Sequence, residues 1–599
     1  MCGIAGFVGM EDSNLIKKMT HALSHRGPDD YGFYVDAGVC LGHRRLSIID
    51  LSERGRQPLQ NEDGHICGVI NGEIYNFMEL RDKLEKNGHT FKSKSDSEVI
   101  VHLYEEFGTD LVKYIQGMFA FALWDQNSKK LILARDRIGK KPLYFYFNGD
   151  VLFFASEIKS LLKADIPAKV NRNALDYYLY LGFVPGTITM FDGINKLEPG
   201  TILIYKNKQL KIKKYWDVCD FSDTSSNEGY IIKMTKNILI KSIKDRLIAD
   251  RALGLFLSGG VDSTTVLYCL SSIIDTSELK TFSVGFDVLF EDEKFNQDLL
   301  IARKTSESFN TDHHECIVSE NDLIKNFKNV IYHMDEPIEN ETQIAVYMLS
   351  KYTKREVAVV LSGNGGDELF GGYPRYHRYL CQPHRAVLKY AQRLPYKIKK
   401  YSISKFIKYI FPEYSKIQKT MTNLRNNDNI SNYIISWYFN GRIPIDKRIM
   451  YIDLKNKLPE NFLMTTDKMT MAHGLEQREP FLDYRLVEFA FKIPTRYKIK
   501  KNSSKYIIKQ IIKDHVSKDV LYGKRYWFTP VAKWMRTEFG DIVKQYLSEN
   551  ALKKTGFFNQ KYVQKMFRRH VSKKEYNRSI IWKIFTFQVW YDTYIEEVI

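Results

Sequence analysis

Ala252-Leu253-Gly254-Leu255-Phe256-Leu257-Ser258-Gly259-Gly260-Val261-Asp262-Ser263 is an apolar run that ends in a glycine-rich turn. The apolar half reads as a buried strand, and residues 264–274 read as a helix beyond the turn. Residues 280–286 and 356–361 read as further buried strands, with helical stretches between them. Such alternation implies a parallel α/β sheet. Small residues in the turn expose backbone N–H groups, and a helix start favours anions, so the 258–263 loop can cradle phosphate. No Gly-Lys-Ser/Thr follows, which excludes a Walker A loop. From about residue 376 the pattern is mostly helical.

Upstream the texture changes. Residues 1–205 hold short apolar runs cut by Gly, Asn and Asp, among them Cys67-Gly68-Val69-Ile70, Phe119-Ala120-Phe121-Ala122-Leu123 and Leu131-Ile132-Leu133-Ala134. These read as strands of a layered sheet domain. The polar stretch 220–229, Asp-Phe-Ser-Asp-Thr-Ser-Ser-Asn-Glu-Gly, is the linker candidate. The chain of 599 residues exceeds what one core supports, so we expect two domains, 2–215 and 230–599.

Composition narrows the function. Apolar residues at 44% and charged residues at 27% suit a globular protein. No apolar run is long enough to span a bilayer, and the start is not a signal peptide, so a cytoplasmic protein without membrane contact is expected. The formal charge is +18, with basic residues crowding 385–425 and 553–578. Such runs suit either nucleic-acid binding or the solvated face of amphipathic helices, and lysines alternate with Ile, Tyr and Phe in 396–400 and 406–410. The amphipathic reading is preferred and no nucleic-acid partner is expected; a field attracting ATP is a second ordinary reading. The seven cysteines, Cys2, Cys40, Cys67, Cys219, Cys269, Cys316 and Cys381, form no CxxC pair, which argues against a zinc site or a disulfide framework.

Cys2 stands apart. Loss of Met1 would leave a thiol beside its own α-amine, whose ordinary pKa of about 8 suits a base for that thiol. Such a residue supplies nucleophile and base together. A lone second-position cysteine is more often incidental. Its companions decide otherwise: His25-Arg26-Gly27-Pro28-Asp29, His43-Arg44-Arg45-Leu46-Ser47-Ile48-Ile49-Asp50, Ile70-Asn71-Gly72-Glu73-Ile74-Tyr75-Asn76 and Ser95-Asp96-Ser97-Glu98. Together these resemble class II glutamine amidotransferase domains, from residue 2 to about 160. The resemblance implies an α+β N-terminal-nucleophile hydrolase domain, an αββα sandwich. It implies Cys2 as nucleophile, Asn71 and the Gly72 N–H as oxyanion donors, and glutamine held by Arg45, Asn71, Gly72, Glu73 and Asp96. The chemistry agrees, since a guanidinium forks a carboxylate and carboxylates take an ammonium.

The string 258–263 resembles the pyrophosphate loop of ATP pyrophosphatases. With Leu361-Ser362-Gly363-Asn364-Gly365-Gly366-Asp367-Glu368-Leu369-Phe370-Gly371-Gly372-Tyr373, Asp467-Lys468-Met469-Thr470-Met471-Ala472 and Arg478-Glu479-Pro480-Phe481-Leu482-Asp483, it resembles the synthetase half of glutamine-hydrolysing asparagine synthetases. The two resemblances cover nearly the whole chain. They imply an ATP pyrophosphatase-type parallel sheet with a helical C-terminal part. ATP would be bound by Leu257, Ser258, Gly259, Gly260, Asp262, Ser263, Val284, Ser362 and Gly363. Mg²⁺ would sit on Asp262 and Asp367, and Lys468 would be catalytic at the reacting phosphate. The implied reaction amidates aspartate through an acyl-adenylate, releasing AMP, pyrophosphate and glutamate; a homodimer is compatible with it.

Three departures lie in this half. Asn364 replaces an acid, Asn340 replaces a frequent Asp, and Tyr526 and Trp527 replace Gly and Phe in a Lys-x-Gly-Phe-x-x-Pro pattern. They raise a runner-up, an amidotransferase for another carboxylate such as a uronic-acid sugar or a peptide. A glutaminase with a merely regulatory second half is disfavoured, because the 258–263 loop is intact.

Overall fold

Twelve strands between Gly3 and Lys214 build two antiparallel sheets of six. The first runs Asn195–Lys196, Tyr144–Phe147, Leu152–Ala155, Gly3–Val8, Val39–Arg45, Asp30–Asp36. The second runs Gln209–Lys214, Thr201–Lys206, Lys130–Arg135, Gly117–Asp125, Ile66–Ile74, Leu59–Gln60. This computed structural model describes residues 1–36, 38–288, 294–381, 411–422, 428–439, 441–500, 503–523 and 529–596.

Alternation along the strands explains the layers. On Gly3–Val8, Ile4 and Val8 enter the core between the sheets, while Ala5 and Phe7 pack with Ile16 and Met19 of the helix Ser13–His21. On Gly117–Asp125, Ala120, Ala122 and Trp124 face the first sheet. Phe119, Phe121 and Leu123 of that strand meet Leu80, Leu84, Val99 and Leu103 from the helices Phe77–Lys86 and Val99–Phe107. Strands buried on both faces read as continuous apolar runs, which is why 119–123 shows no polar alternation. The result is the αββα sandwich.

The third sheet has five parallel strands, ordered Asp312–Val318, Lys280–Phe286, Leu253–Phe256, Val359–Leu361, Glu476–Arg478. The strand read at 280–286 forms as read; those read at 252–257 and 356–361 are shorter. The helix expected from 264 begins at Val261, so Asp262 and Ser263 lie in its first turn. Two strands escaped the sequence reading. Asp312–Val318 is largely polar, and Glu476–Arg478 interrupts the otherwise helical part beyond 376. The polar stretch is irregular only to Asn227, which caps the helix Glu228–Arg246. It is tied down by Thr224 N donating to Lys492 O at 2.8 Å.

Of the basic stretches, 396–400 and 406–410 lie outside the described residues, as do Tyr526 and Trp527. The helix Gln560–Val571 is amphipathic as expected, with Val563, Met566 and Phe567 buried and Lys561, Lys565, Arg568 and Arg569 exposed. Cys40, Cys67, Cys269 and Cys316 are free and buried, and Cys219 is free and exposed. Among the described residues, no helix is long and apolar enough to cross a membrane.

Candidate active site

Cys2 immediately precedes the inner strand Gly3–Val8 of the first sheet. Its N–H donates to Asn71 Oδ1 at 3.1 Å, and its carbonyl accepts Arg26 Nε at 3.0 Å. Asn71, Gly72 and Glu73 follow one another on the buried strand Ile66–Ile74. Asn71 Nδ2 and Glu73 Oε2 are buried without a hydrogen-bond partner. Buried polar atoms are almost always paired, so two orphans beside one thiol mark the place of a polar ligand. A Cβ on Gly72 would collide with the Met118 carbonyl oxygen, so only glycine fits there. Asp96 opens the turn Asp96–Glu98, and its Oδ2 accepts Ile74 N at 2.7 Å.

This corner is acidic. Burial, with Glu476 adding, pushes Asp96 up to about 6. Burial also pushes Glu73 well above the usual carboxylate range, with Glu476 and Asp96 adding. The Met1 ammonium, still attached in this chain, lies 2.8 Å from Glu476 Oε2, so the corner already accommodates an ammonium. Burial raises the Cys2 thiol, and the positive N-terminus opposes it. Arg45 is aimed by the loop beneath it: Nη1 donates to Ser52 O at 2.7 Å and Nη2 to Asp50 O.

The second site forms where the parallel strand order reverses, between Leu253–Phe256 and Val359–Leu361. In open α/β sheets, ligands bind outside the carboxyl ends of strands at that point. The 258–263 loop leaves the first strand and Ser362-Gly363-Asn364 leaves the second. They touch: a Cβ on Gly363 would stand 2.6 Å from Ser263 N. Gly259 takes φ +65°, and a Cβ there would stand 2.7 Å from Asp298 O. Ser258 N donates to Ser263 Oγ at 3.2 Å, closing the loop on itself. Leu257 is buried, and Val284 lies on the neighbouring strand.

Asp262 and Asp367 converge on a residue that the sequence did not single out. Lys505 Nζ lies 2.6 Å from Asp262 Oδ2 and 2.6 Å from Asp367 Oδ1. The two carboxylates hold it protonated above its ordinary range, against burial. Lys505 has φ +53°, a backbone strain that this cluster retains. Lys468 is not brought to these aspartates. Its Nζ bonds Asp335 Oδ2, lies 3.9 Å from Glu157 Oε1 and sits 5.1 Å from the Tyr144 ring centre. Burial lowers its pKa, and Asp335 and Glu157 oppose that.

The buried edge strand Glu476–Arg478 joins the sites. Alternate residues face opposite ways. Glu476 holds the Met1 ammonium and Arg478 Nη2 lies 3.6 Å from Glu73 Oε2, whereas Gln477 Nε2 donates to Ser362 Oγ at 2.7 Å. Arg26 adds a second link: beyond the Cys2 carbonyl, its Nη1 lies 2.8 Å from Glu157 Oε1 and 2.8 Å from Asp467 Oδ2.

Known proteins match in the same two parts. A glutamine amidotransferase domain model matches residues 1–216, and the asparagine synthase model matches residues 234–592. The chain belongs to the asparagine synthase family. It is therefore a ligase of glutamine-dependent amidation. Asparagine synthetase [glutamine-hydrolyzing] 1 of Bacillus subtilis is 31% identical, over 100% of this chain and 97% of that protein. Asparagine synthetase [glutamine-hydrolyzing] 3 of the same organism is 32% identical, over 91% and 89%. Amidase chyE of Penicillium rubens is 28% identical, over 96% of each chain.

Against the asparagine synthase pattern, the two asparagines are quietly placed. Asn364 Nδ2 donates to Thr466 Oγ1 at 3.1 Å. Asn340 Nδ2 donates to Asn461 Oδ1 at 3.2 Å, while its Oδ1 accepts Thr342 N at 3.2 Å. Neither is strained. The converging Asp262 and Asp367 carboxylates are hard oxygen donors of the kind that hold Mg²⁺ together with substrate phosphates, so the pair fits that ion.

Proposed function

We propose that this enzyme converts aspartate to asparagine, with ammonia drawn from glutamine at Cys2 and with ATP cleaved to AMP and pyrophosphate. The observation that carries the reading is the edge strand Glu476–Arg478, which reaches the glutaminase corner and the nucleotide loop with alternate side chains. After Met1 is lost, the Cys2 thiol attacks the amide carbon and its α-amine takes the thiol proton. Asn71 Nδ2 and the Gly72 N–H donate to the oxyanion. Arg45 forks the glutamine carboxylate, and Glu73 and Asp96 take its ammonium. The C–N bond breaks, ammonia leaves, and water hydrolyses the thioester to glutamate.

In the second half, Ser258, Gly259, Gly260, Asp262 and Ser263 line the pyrophosphate, and Leu257, Val284, Ser362 and Gly363 the nucleotide. Asp262 and Asp367 would hold Mg²⁺, which neutralises phosphate charge when bound. We assign the mobile cation of this site to Lys505, whose ammonium already lies between those aspartates. Lys468 acts from the interface, holding Asp335 and Glu157 and with them the helix Met464–Met471. The aspartate side-chain carboxylate attacks the α-phosphorus and displaces pyrophosphate. Ammonia, moving within the protein, then displaces AMP from the acyl carbon. Enclosure keeps water from the adenylate and the ammonia from protonation.

Incubation with glutamine, ATP and aspartate should give asparagine by mass spectrometry and AMP with pyrophosphate by ³¹P NMR. ADP in place of AMP, or turnover only with another carboxylate, would overturn the reading.

A further inference from the structure

We propose that Glu62, His89, His102 and Glu105 form a zinc site in the sandwich domain, away from both reaction centres. Glu62 lies in the turn between Leu59–Gln60 and Ile66–Ile74, His89 follows the helix Phe77–Lys86, and His102 and Glu105 lie on Val99–Phe107. One ligand atom from each falls within 4.8 Å of all the others.

The decisive residue is His102. It is fully buried, and neither ring nitrogen makes a hydrogen bond. Its Nδ1 nevertheless lies 3.2 Å from Glu62 Oε2, close enough for a bond but misdirected for one. A misdirected contact is what a shared metal ion produces: two donors each about 2.1 Å from zinc stand about 3.4 Å apart in a tetrahedron. His89 joins the group differently: its Nδ1 is hydrogen-bonded to Glu62 Oε1 at 3.2 Å and lies 3.9 Å from Glu105 Oε2.

His89 also carries the hydrogen-bonded outer partner that metal-bound histidines use, and His102 has a carboxylate on the same side at a longer distance. Each turns Nδ1 inward and Nε2 toward a further carboxylate. His89 Nε2 lies 3.2 Å from Glu106 Oε1, and His102 Nε2 lies 3.7 Å from Glu98 Oε1. The inner carboxylates are themselves oriented: Thr90 N donates to Glu62 Oε1 at 2.7 Å and Asn61 Nδ2 to Glu105 Oε2 at 3.1 Å. Two neutral imidazoles and two carboxylates balance a divalent ion and suit borderline zinc. The ion would pin the 61–65 turn to the helix Val99–Phe107. Through Glu98, which accepts Lys92 N at 2.7 Å and Ser93 N at 2.8 Å, it would also brace the segment leading to Asp96. The competing description is an imidazolium–carboxylate network with no metal.

The test uses the full chain without a histidine tag, stripped with chelator and given excess Zn²⁺ before gel filtration. Elemental analysis should find one zinc per chain, and Co²⁺ in its place should give the visible bands of a four-coordinate site. Titration against a chromophoric chelator should show His89→Asn weakening zinc at least about 10²-fold and Glu106→Gln about 10–100-fold, as outer partners do. Glu106 is partly exposed and His89 is nearly buried, so circular dichroism checks that His89→Asn folds; Zn²⁺ should raise the Tm of the parent and not of His89→Asn. No stoichiometric zinc in the parent, or parental affinity in His89→Asn, overturns the proposal. The glutaminase and synthetase assignments do not depend on the outcome.

Discussion

The two reaction centres are built differently. The glutaminase corner lies inside a sandwich, with Asn71, Gly72 and Glu73 set in sequence along one buried strand and Asn71 Nδ2 and Glu73 Oε2 left without a hydrogen bond. The synthetase centre lies on loop ends, and its two aspartates already share the single Lys505 ammonium. A strand fixes directions to a fraction of an ångström, which suits an oxyanion that needs donors in advance. A loop with an internal cation suits a highly charged substrate, because the lysine can follow the phosphates as they arrive. Each half should therefore fail in its own manner when its central group is removed.

The largest separation should come from Cys2→Ala. Glutamine-dependent amide formation should fall at least about 10³-fold, while ammonium-dependent formation continues. Intact mass of the parent should lack Met1. Retained glutaminase activity in the variant would dissolve the contrast at its root. The mirror experiment is Lys505→Met. Pyrophosphate release should fall about 10²–10³-fold, the usual cost of removing a charge-stabilising donor, with glutamine hydrolysis kept near the parental rate. Equal loss of both activities would make Lys505 a structural residue.

How much of this was legible follows from where each signal resides. Asn71, Gly72 and Glu73 are consecutive, so one motif delivered three neighbouring groups, and strand burial did the rest. The doubly buried 117–125 strand announced itself by an unbroken apolar run. Glu476–Arg478 could not be read as a strand: its side chains are all polar, and partners distant in sequence satisfy them, Met1 for Glu476, Ser362 for Gln477 and the Arg246 carbonyl for Arg478. Lys505 was invisible because Ser503-Ser504-Lys505-Tyr506 resembles any surface turn; its significance comes from Asp262 and Asp367, far off in sequence. Lys468 was read at the reacting phosphate from its motif, and nothing in the sequence pointed to the Asp335 and Glu157 carboxylates that it meets. His89 and His102 carried no spacing signal that set them apart.

Asn364 sharpens the comparison from the synthetase side. Asn364→Glu should raise kcat/KM for aspartate by about 10–100-fold, below the 10²–10⁴ that a well-placed acid–base contributes. The shortfall has a cause. Thr466 Oγ1 accepts from Asn364 Nδ2 and donates to the Phe462 carbonyl at 2.8 Å, so it has no second proton for a new carboxylate. The carboxylate would have to turn away from Thr466 toward substrate. An unchanged ratio would show that the neutral side chain is sufficient here and that ammonia needs no base at this position.

The smallest effect concerns pH at the glutaminase corner. Burial raises Asp96 to about 6, with Glu476 adding, while the Ile74 N–H and Arg478 oppose. Glutamine's ammonium requires the ionised form, so protons compete with substrate below that value. KM for glutamine should rise about three- to tenfold between pH 7 and 5, with ammonium-dependent activity at the distant loops spared the same trend. The sign for stability runs the other way. A carboxyl raised above its ordinary value of about 3.9 binds its proton more tightly when folded. That stabilisation is complete below about pH 4 and is lost as pH rises through 6. Acid therefore steadies the corner that it empties. Asp96→Asn separates the two: the variant should bind glutamine weakly at every pH and lose this part of the pH slope in denaturant unfolding. A glutamine KM that stays flat from pH 7 to 5 would mean that Asp96 is ionised throughout. The built-in pairing seen at the loop aspartates would then extend to the strand-borne site as well.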